Sequence, residues 1–295
     1  MDRQTDLHIQ KLSLLAQAPI SRRTFAATGL VTGFALAAGP VRADAIHTDS
    51  AGLDAGEVEI PVADGKVPGY RAKPSGKGGS PAVLVVQEVF GVHEHIKDIC
   101  RRFAKAGHYA IAPSLYARQG DPGKYDMDHL HDLVADIVSK VPDAEVMSDL
   151  DSTAAFAATD GGDVSRLAVT GFCWGGRIVW LYAAHAPQLK AAVAFYGQLR
   201  GTSGELRPHF PLDLAGDMKC PVLAFYGAQD QGIPLSDVED MRAALAKAGR
   251  LDSRIEVFMD AGHGFMADYR SSYNEKDAKT AWREMLAWFR KNGAG

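Results

Sequence analysis

Six short, almost wholly apolar runs recur along this chain, over 82–86, 109–112, 167–171, 191–195, 222–226 and 255–258. Helical patterns fill most of the gaps between them, over 96–106, 149–158, 178–184, 237–246 and 278–290. A continuous apolar run suits a strand buried on both faces, and a helical crossover returns the chain for a parallel neighbour. The expected fold is therefore α/β, a mostly parallel sheet with helices on both faces. Two more runs, 58–62 and 67–72, flank Ala63-Asp64-Gly65-Lys66 and read as an antiparallel hairpin that opens the domain. The polar, His- and Asp-rich stretch 121–142 is expected to cap the C-terminal edge of the sheet.

The first 45 residues obey a different rule. Ser21-Arg22-Arg23-Thr24-Phe25 precedes an apolar, small-residue stretch over 26–39, followed by Pro40 and Ala43-Asp44-Ala45. Basic, then apolar, then small-x-small is the order of an export signal. The apolar stretch is also too short for the roughly 20 residues of a membrane span. Its adjacent arginines resemble the twin-arginine signal family, whose substrates cross the membrane folded. The expected organisation is a signal over 1–45, with Ala43-Asp44-Ala45 fitting the small-x-small cleavage rule, and one α/β domain over 46–295. That domain would be a periplasmic monomer with no stable membrane anchor after cleavage and no partner beyond the export machinery and a small substrate. Five basic and three acidic side chains in the first 45 residues leave the remainder at −6, against −4 for the whole chain. With no basic block, nucleic acid is not an expected partner. Three cysteines with no Cys-x-x-Cys pair exclude a disulfide scaffold and a cysteine-rich zinc site.

The chemistry concentrates in Val169-Thr170-Gly171-Phe172-Cys173-Trp174-Gly175-Gly176-Arg177. A strand ends at Phe172 and a helix begins within a few residues, so Cys173 occupies a sharp strand-to-helix turn. Glycines two before and two after it leave room for a strained, tightly packed nucleophile, as in Gly-x-Ser-x-Gly with sulfur in place of oxygen. A helix N-terminus also favours a thiolate. The α/β-hydrolase fold supplies the other partners in the order acid, then histidine. Asp230 follows the run 222–226 and His263 follows 255–258, both at C-terminal strand ends, where catalytic groups collect in open sheets. Glu88 follows the first parallel strand, in Gln87-Glu88-Val89-Phe90-Gly91. A carboxyl buried there needs a partner, and Cys173 is a candidate. The backbone N–H groups of Val89 and Trp174 are candidate oxyanion donors. Phe90 and Tyr196 are candidates for the wall of a substrate pocket.

Together these pieces resemble the dienelactone hydrolase family over essentially the whole of 46–295. The likeness rests on Gln87-Glu88-Val89-Phe90-Gly91-Val92, Pro113-Ser114-Leu115-Tyr116-Ala117-Arg118, Gly171-Phe172-Cys173-Trp174-Gly175-Gly176, Phe195-Tyr196-Gly197 and the loops holding Asp230 and His263. The resemblance implies an α/β-hydrolase fold and cofactor-free hydrolysis of an enol-lactone, such as a carboxymethylenebutenolide, through an acyl-thioester on Cys173. It implies that Glu88 holds the resting thiol and yields it to His263 when substrate binds, and that Arg118 grips the substrate carboxylate. The family's second carboxylate-binding arginine falls on Ala267 here, with Arg270 three residues further on. The substrate therefore stays open between an enol-lactone and the esters or thioesters of a broader exported esterase; a non-catalytic ligand-binding protein on the same fold is the alternative of another class. His93-Glu94-His95 and His129-Leu130-His131-Asp132 read as solvated surface loops, so no metal is expected. Cys100 and Cys220 read as core thiols.

The export reading makes a direct forecast. A reporter fused to residues 1–45 is exported, and the double substitution Arg22→Lys/Arg23→Lys blocks it. Export of the double variant at the unaltered rate removes the twin-arginine claim.

Overall fold

The computed structural model describes residues 45–76 and 78–295; apart from Ala45, the export segment expected over 1–45 lies outside the described residues. Strands β1 (Leu53–Val62) and β2 (Gly65–Pro74) form the antiparallel hairpin. Val62 pairs with Gly65, so the turn is only Ala63-Asp64, tighter than the run lengths suggest. Strands β3 (Ser80–Val86), β4 (Tyr109–Pro113), β5 (Gly162–Phe172), β6 (Ala191–Phe195), β7 (Val222–Gly227) and β8 (Arg254–Phe258) run parallel, in the sheet order β1-β2-β4-β3-β5-β6-β7-β8. Every residue of β3, β4, β6 and β7 is buried, which is why, Ser80 at the start of β3 apart, their sequences carry no polar side chain.

Helices α1 (Glu94–Lys105), α2 (Leu130–Asp136), α3 (Asp143–Thr159), α4 (Trp174–His185), α5 (Leu235–Lys247) and α6 (Glu275–Lys291) cover the sheet. On one face α1 meets α6, with the Phe103 ring 4.7 Å from Trp282 and 6.1 Å from Phe289, centroid to centroid. On the other α3 meets α4, where the Tyr182 hydroxyl donates to Asp151 at 2.9 Å. No helix among the described residues is long and apolar enough to cross a membrane. The stretch 121–142 folds into three short 3-10 turns and α2, which buries Leu130, Leu133 and Val134. Its Pro122 rests against Gly91 in the loop that follows β3.

The strand order places the site. From β3 the chain passes through α1 to β4 on one side, then returns across β3 to β5 and continues outward on the other. The crevice between the C-terminal ends of β3 and β5 is thus the point where the winding reverses, which is where open α/β sheets bind ligands. Glu88 follows β3 and Cys173 follows β5. The first turn of α4 is pressed into this crevice. A Cβ on Gly175 would overlap the Gln87 carbonyl, and one on Gly171 would stand 2.6 Å from the Gly175 carbonyl oxygen.

That close approach is testable through stability. Gly175→Ala forces the helix start off the end of β3 and costs about 2–3 kcal/mol, or a Tm loss of roughly 5–10 °C. Gly56→Ala in β1, with nothing near the added methyl, is the control and leaves Tm within about a degree. Equal melting of the two variants in thermal denaturation overturns the packing argument.

Candidate active site

Cys173 is one of two described non-glycine residues with positive φ, at φ 57° and ψ −116°; Tyr196, φ 38°, is the other. Such a conformation costs of order 1–3 kcal/mol and persists only where the surroundings enforce it. Here they do. The Cys173 amide donates to the Phe195 carbonyl at 3.0 Å, and the Cys173 carbonyl accepts from Gly176 at 3.0 Å and Arg177 at 3.3 Å. The elbow is thereby bolted to β6 on one side and to its own helix on the other, with the thiol at the N-terminus of α4.

Asp230 and His263 are brought together by the loops after β7 and β8. Ala228 donates to the Phe258 carbonyl and Gln229 to that of Ala261, each at 2.9 Å, which zips the two loops side by side. Asp230 Oδ1 accepts from the amides of Gly232 at 2.8 Å and Ile233 at 3.2 Å, leaving Oδ2 for His263 Nδ1 at 2.7 Å. Both residues are buried. Burial alone would favour neutral imidazole, but the charge of Cys173 and the hydrogen bonds to Asp230 and Cys173 push the His263 pKa up to about 10. His263 thus stands between an orienting carboxylate and the thiol, which is the arrangement a nucleophile–base pair requires.

Glu88 is fully buried, and its contacts differ from those expected. Its Oε2 accepts from the Tyr269 hydroxyl at 2.6 Å and lies 3.2 Å from His93 Nε2 and 3.7 Å from Arg270 Nη2. Burial would raise its pKa, yet Arg270, His93 and His95 together hold the carboxyl well below the usual carboxylate range. Arg270 Nε donates to the same tyrosine oxygen at 3.0 Å, and the guanidinium lies 5.4 Å from the Phe90 ring centre. The carboxylate is thereby held by a buried cation, a phenol and an imidazole, while Oε1 has no hydrogen-bond partner among the described residues. No hydrogen bond joins Glu88 to the Cys173 thiol among the described residues, where the resemblance implied one; its Oε2 is turned instead toward Tyr269, His93 and Arg270.

Arg118 is a second correction. Both Asp64 and Asp149 bind its guanidinium in fork geometry, at 2.5–2.7 Å and 2.7–3.1 Å, with Glu145 at 3.7 Å. Shared among three carboxylates of the protein, Arg118 ties the β1–β2 turn to α3 in this structure rather than standing free beside the crevice. Phe90 and Tyr196 do face the crevice groups: Phe90 packs on Arg270, and the Tyr196 ring lies 5.0 Å from His263. Trp174 opens α4 and Val89 begins the turn after β3, two segments that the Gly175–Gln87 contact holds against each other.

The first histidine pair is less solvated than expected, with His93 half-buried. His95 is buried, with Nδ1 3.3 Å from Asp268, and His93 joins Glu88; His129 and His131 are exposed as expected. Cys100 and Cys220 are buried, and burial pushes the Cys220 thiol up to about 12 and that of Cys100 higher still. Sequence reasoning passed over Tyr269 and left Arg270 undecided. The signal that finds both is the need for a counter-charge to Glu88, answered by the polar run Asp268-Tyr269-Arg270 in a loop that is otherwise buried.

Residues 67–293 match the dienelactone hydrolase family. The chain belongs to that family. It is 54% identical over 283 residues to a protein of Methylorubrum extorquens named "Putative carboxymethylenebutenolidase", covering 95% of this chain and 96% of that protein. A protein of the same name from Escherichia coli K12 is 50% identical over 268 residues, or 90% and 98% of the two chains. Among solved structures, a dienelactone hydrolase of Klebsiella pneumoniae, also named as putative, superposes with a TM-score of 0.78 at 54% identity, covering 81% of this chain and 98% of its own. Like these relatives of the dienelactone hydrolase family, the chain is a hydrolase of esters or lactones.

The coupling between thiol and imidazole can be measured. In an NMR titration of the wild type, His263 stays protonated through pH 8. Cys173→Ala removes the charge and hydrogen bond that oppose burial, so the His263 pKa falls by at least about one unit. A pKa that does not move on this substitution shows that the two groups are not coupled.

Proposed function

We propose that this protein cleaves an enol-lactone or related carboxylic ester by thiol catalysis. The observation that carries the reading is His263, buried between Asp230 and Cys173 with the nucleophile on a strained elbow. Cys173 Sγ attacks the carbonyl carbon, and the amides of Val89 and Trp174 hold the oxyanion that forms. His263 gives its proton to the leaving oxygen as the C–O bond breaks, which leaves an acyl-thioester on Cys173. Water then attacks the thioester, His263 takes the water's proton, and the sulfur departs with the acid product released. Asp230 fixes the imidazole tautomer and supports its charge. Glu88, neutralised by Arg270, is a structural anion in the wall of the crevice, with Phe90 and Tyr196 lining it.

The names of the relatives support a lactone, and no cofactor or metal enters the scheme. One observation favours a broader esterase or thioesterase as the second reading: the position at which the family carries a second carboxylate-binding arginine is the buried Ala267. The twin-arginine pattern supports export of the folded domain over 46–295 to the periplasm.

The mechanism predicts an acyl adduct on the peptide containing Cys173 when turnover of an activated ester is quenched and analysed by mass spectrometry. Cys173→Ala abolishes turnover, and Cys173→Ser keeps the fold but loses most of it, since a hydroxyl is far harder to ionise than a thiol of pKa ~8.5. Full activity in Cys173→Ala ends the proposal.

A further inference from the structure

Two histidines stand in the wall of the crevice, and the thiol chemistry uses neither. His93 caps the start of α1 and His95 lies in its first turn; their rings stack 6.1 Å apart, centroid to centroid, and 20° from parallel. Each has its own carboxylate, with His93 Nε2 3.2 Å from Glu88 Oε2 and His95 Nδ1 3.3 Å from Asp268 Oδ1. The Tyr269 ring packs against both imidazoles, at 5.1 and 5.3 Å. An ionised carboxylate only accepts, so neutral His93 carries its proton on Nε2 and neutral His95 on Nδ1. His95 Nε2 is then a buried acceptor with no hydrogen-bond partner among the described residues, whereas the His93 side chain keeps 26% of its surface exposed. The nitrogen left to take up a proton from solvent is His93 Nδ1.

The charges around this pair already balance. From the chain after β8, Arg270 faces Glu88 at 3.7 Å and Asp268 takes Arg102 at 2.5 Å; within α1, Asp98 takes both Arg101 and Arg102, and the exposed Glu94 adds a bond to Arg101. From the end of β6 the Tyr196 phenol senses Glu88 and Arg270, and Arg270 senses Cys173. Glu88, Asp268 and Asp98 thus meet Arg270, Arg102 and Arg101, and a proton on His93 adds a positive charge beside Arg270. Burial, with His95 and Arg270 adding to it, lowers the His93 pKa from its ordinary value against the pull of Glu88. The competition is for one atom: Tyr269 donates to Oε2 at 2.6 Å, and His93 and Arg270 share the same oxygen from further away. Charge-assisted N–H···O bonds run at about 2.7–2.9 Å. Charging His93 therefore shortens its bond to Glu88 and repels Arg270, the cation packed 5.4 Å from the Phe90 ring centre.

We propose that His93 is a pH-sensitive positioning residue for the crevice wall: neutral, it leaves Glu88 to Tyr269 and Arg270, and protonated, it draws the carboxylate to itself and loosens Arg270 against Phe90. Val86 pairs with Gly171 across β3 and β5, so Glu88 and Cys173 stand two residues beyond the same rung of the sheet. The His95 ring also lies 6.3 Å from that of Phe172, the residue before the nucleophile. A shift of Glu88 is therefore felt where substrate meets the thiol, and turnover falls on acidification. His263, pushed up to about 10, stays protonated throughout the acid range, so the fall belongs to His93 and not to the triad. The inference rests on the thiol-hydrolase reading for its effect on turnover, though not for the titration itself.

The test joins an NMR titration of the histidine-labelled full chain to kcat/KM for 4-nitrophenyl acetate, corrected for spontaneous hydrolysis, from pH 8 down to about 5. His93 is the Nε2–H tautomer at pH 8 and takes up its proton below the ordinary imidazole value of 6.5. In the wild type kcat/KM falls in a one-proton step at the same pH. Tyr269→Phe removes the hydroxyl that competes for Oε2, and the His93 pKa rises because the carboxylate turns to the imidazole. His93→Gln keeps an amide donor for Glu88 but cannot be protonated, and the acid step in kcat/KM is lost. A merely structural histidine leaves that step in place in His93→Gln. That result, or a His93 pKa unmoved by Tyr269→Phe, overturns the proposal while the hydrolase reading stands. If His93 titrates and answers to Tyr269→Phe as stated but the wild type turns over no ester, the positioning of Glu88 by His93 is upheld and the hydrolase reading falls instead.

Discussion

The rest of the site depends on the packing of α4 against the ends of β3 and β6. A carbonyl of Gln87 occupies the space where a side chain on Gly175 would be, and a carbonyl of Phe195 does the same at Gly176. Only hydrogen atoms fit between these backbones, so the helix starts abruptly and Cys173 is forced into a left-handed turn. Three results follow from one constraint: the thiol projects from the sheet, the helix N-terminus points at the reacting atoms, and the turn after β3 is drawn alongside. The strain is stored where the surroundings over-determine it, which is how a rigid scaffold fixes a nucleophile to within fractions of an ångström.

Around that fixed point the polar groups divide by whether their charge is spent. Glu88 would be prohibitively costly without Arg270, and Arg270 without Glu88, since each is nearly inaccessible to water. Their mutual neutralisation, with Tyr269 and His93 bonded to the same carboxylate oxygen, fixes this corner of the crevice. Arg118 is likewise consumed, by Asp64 and Asp149. Charges that satisfy one another hold the fold together, and those left over are available to ligands. The buried pair Asp230–His263, whose imidazole also senses Cys173, stands apart from the ion pairs elsewhere in the molecule.

Much of the architecture was legible in residue order, because the signals involved are local. Strands buried on both faces need unbroken apolar runs, and each of the six appears in the parallel part of the sheet, although β5 begins well before its apolar portion. Helix positions were legible and their ends less so: α3 begins at Asp143, six residues before the periodic pattern would place it, because Pro142 and the chain before it set the start. The elbow at Cys173, and the placing of Asp230 and His263 at strand ends, were equally legible, since each depends on spacing from the end of a recognisable strand.

What sequence could not decide was partnership. That a buried glutamate requires a counter-charge follows from the free energy of desolvation alone; that the counter-charge is Arg270, 182 positions away in a different loop, depends on how β3 and the chain after β8 meet. Arg118 looked like a ligand-binding residue in its local string, and only the return of the β1–β2 turn and α3 beside it supplied the carboxylates that neutralise it. Local order determines which element a residue belongs to, through backbone geometry and apolar periodicity. Which charges meet is decided by the tertiary structure, because Coulomb and hydrogen-bond energies act over a few ångströms of space regardless of the number of residues between.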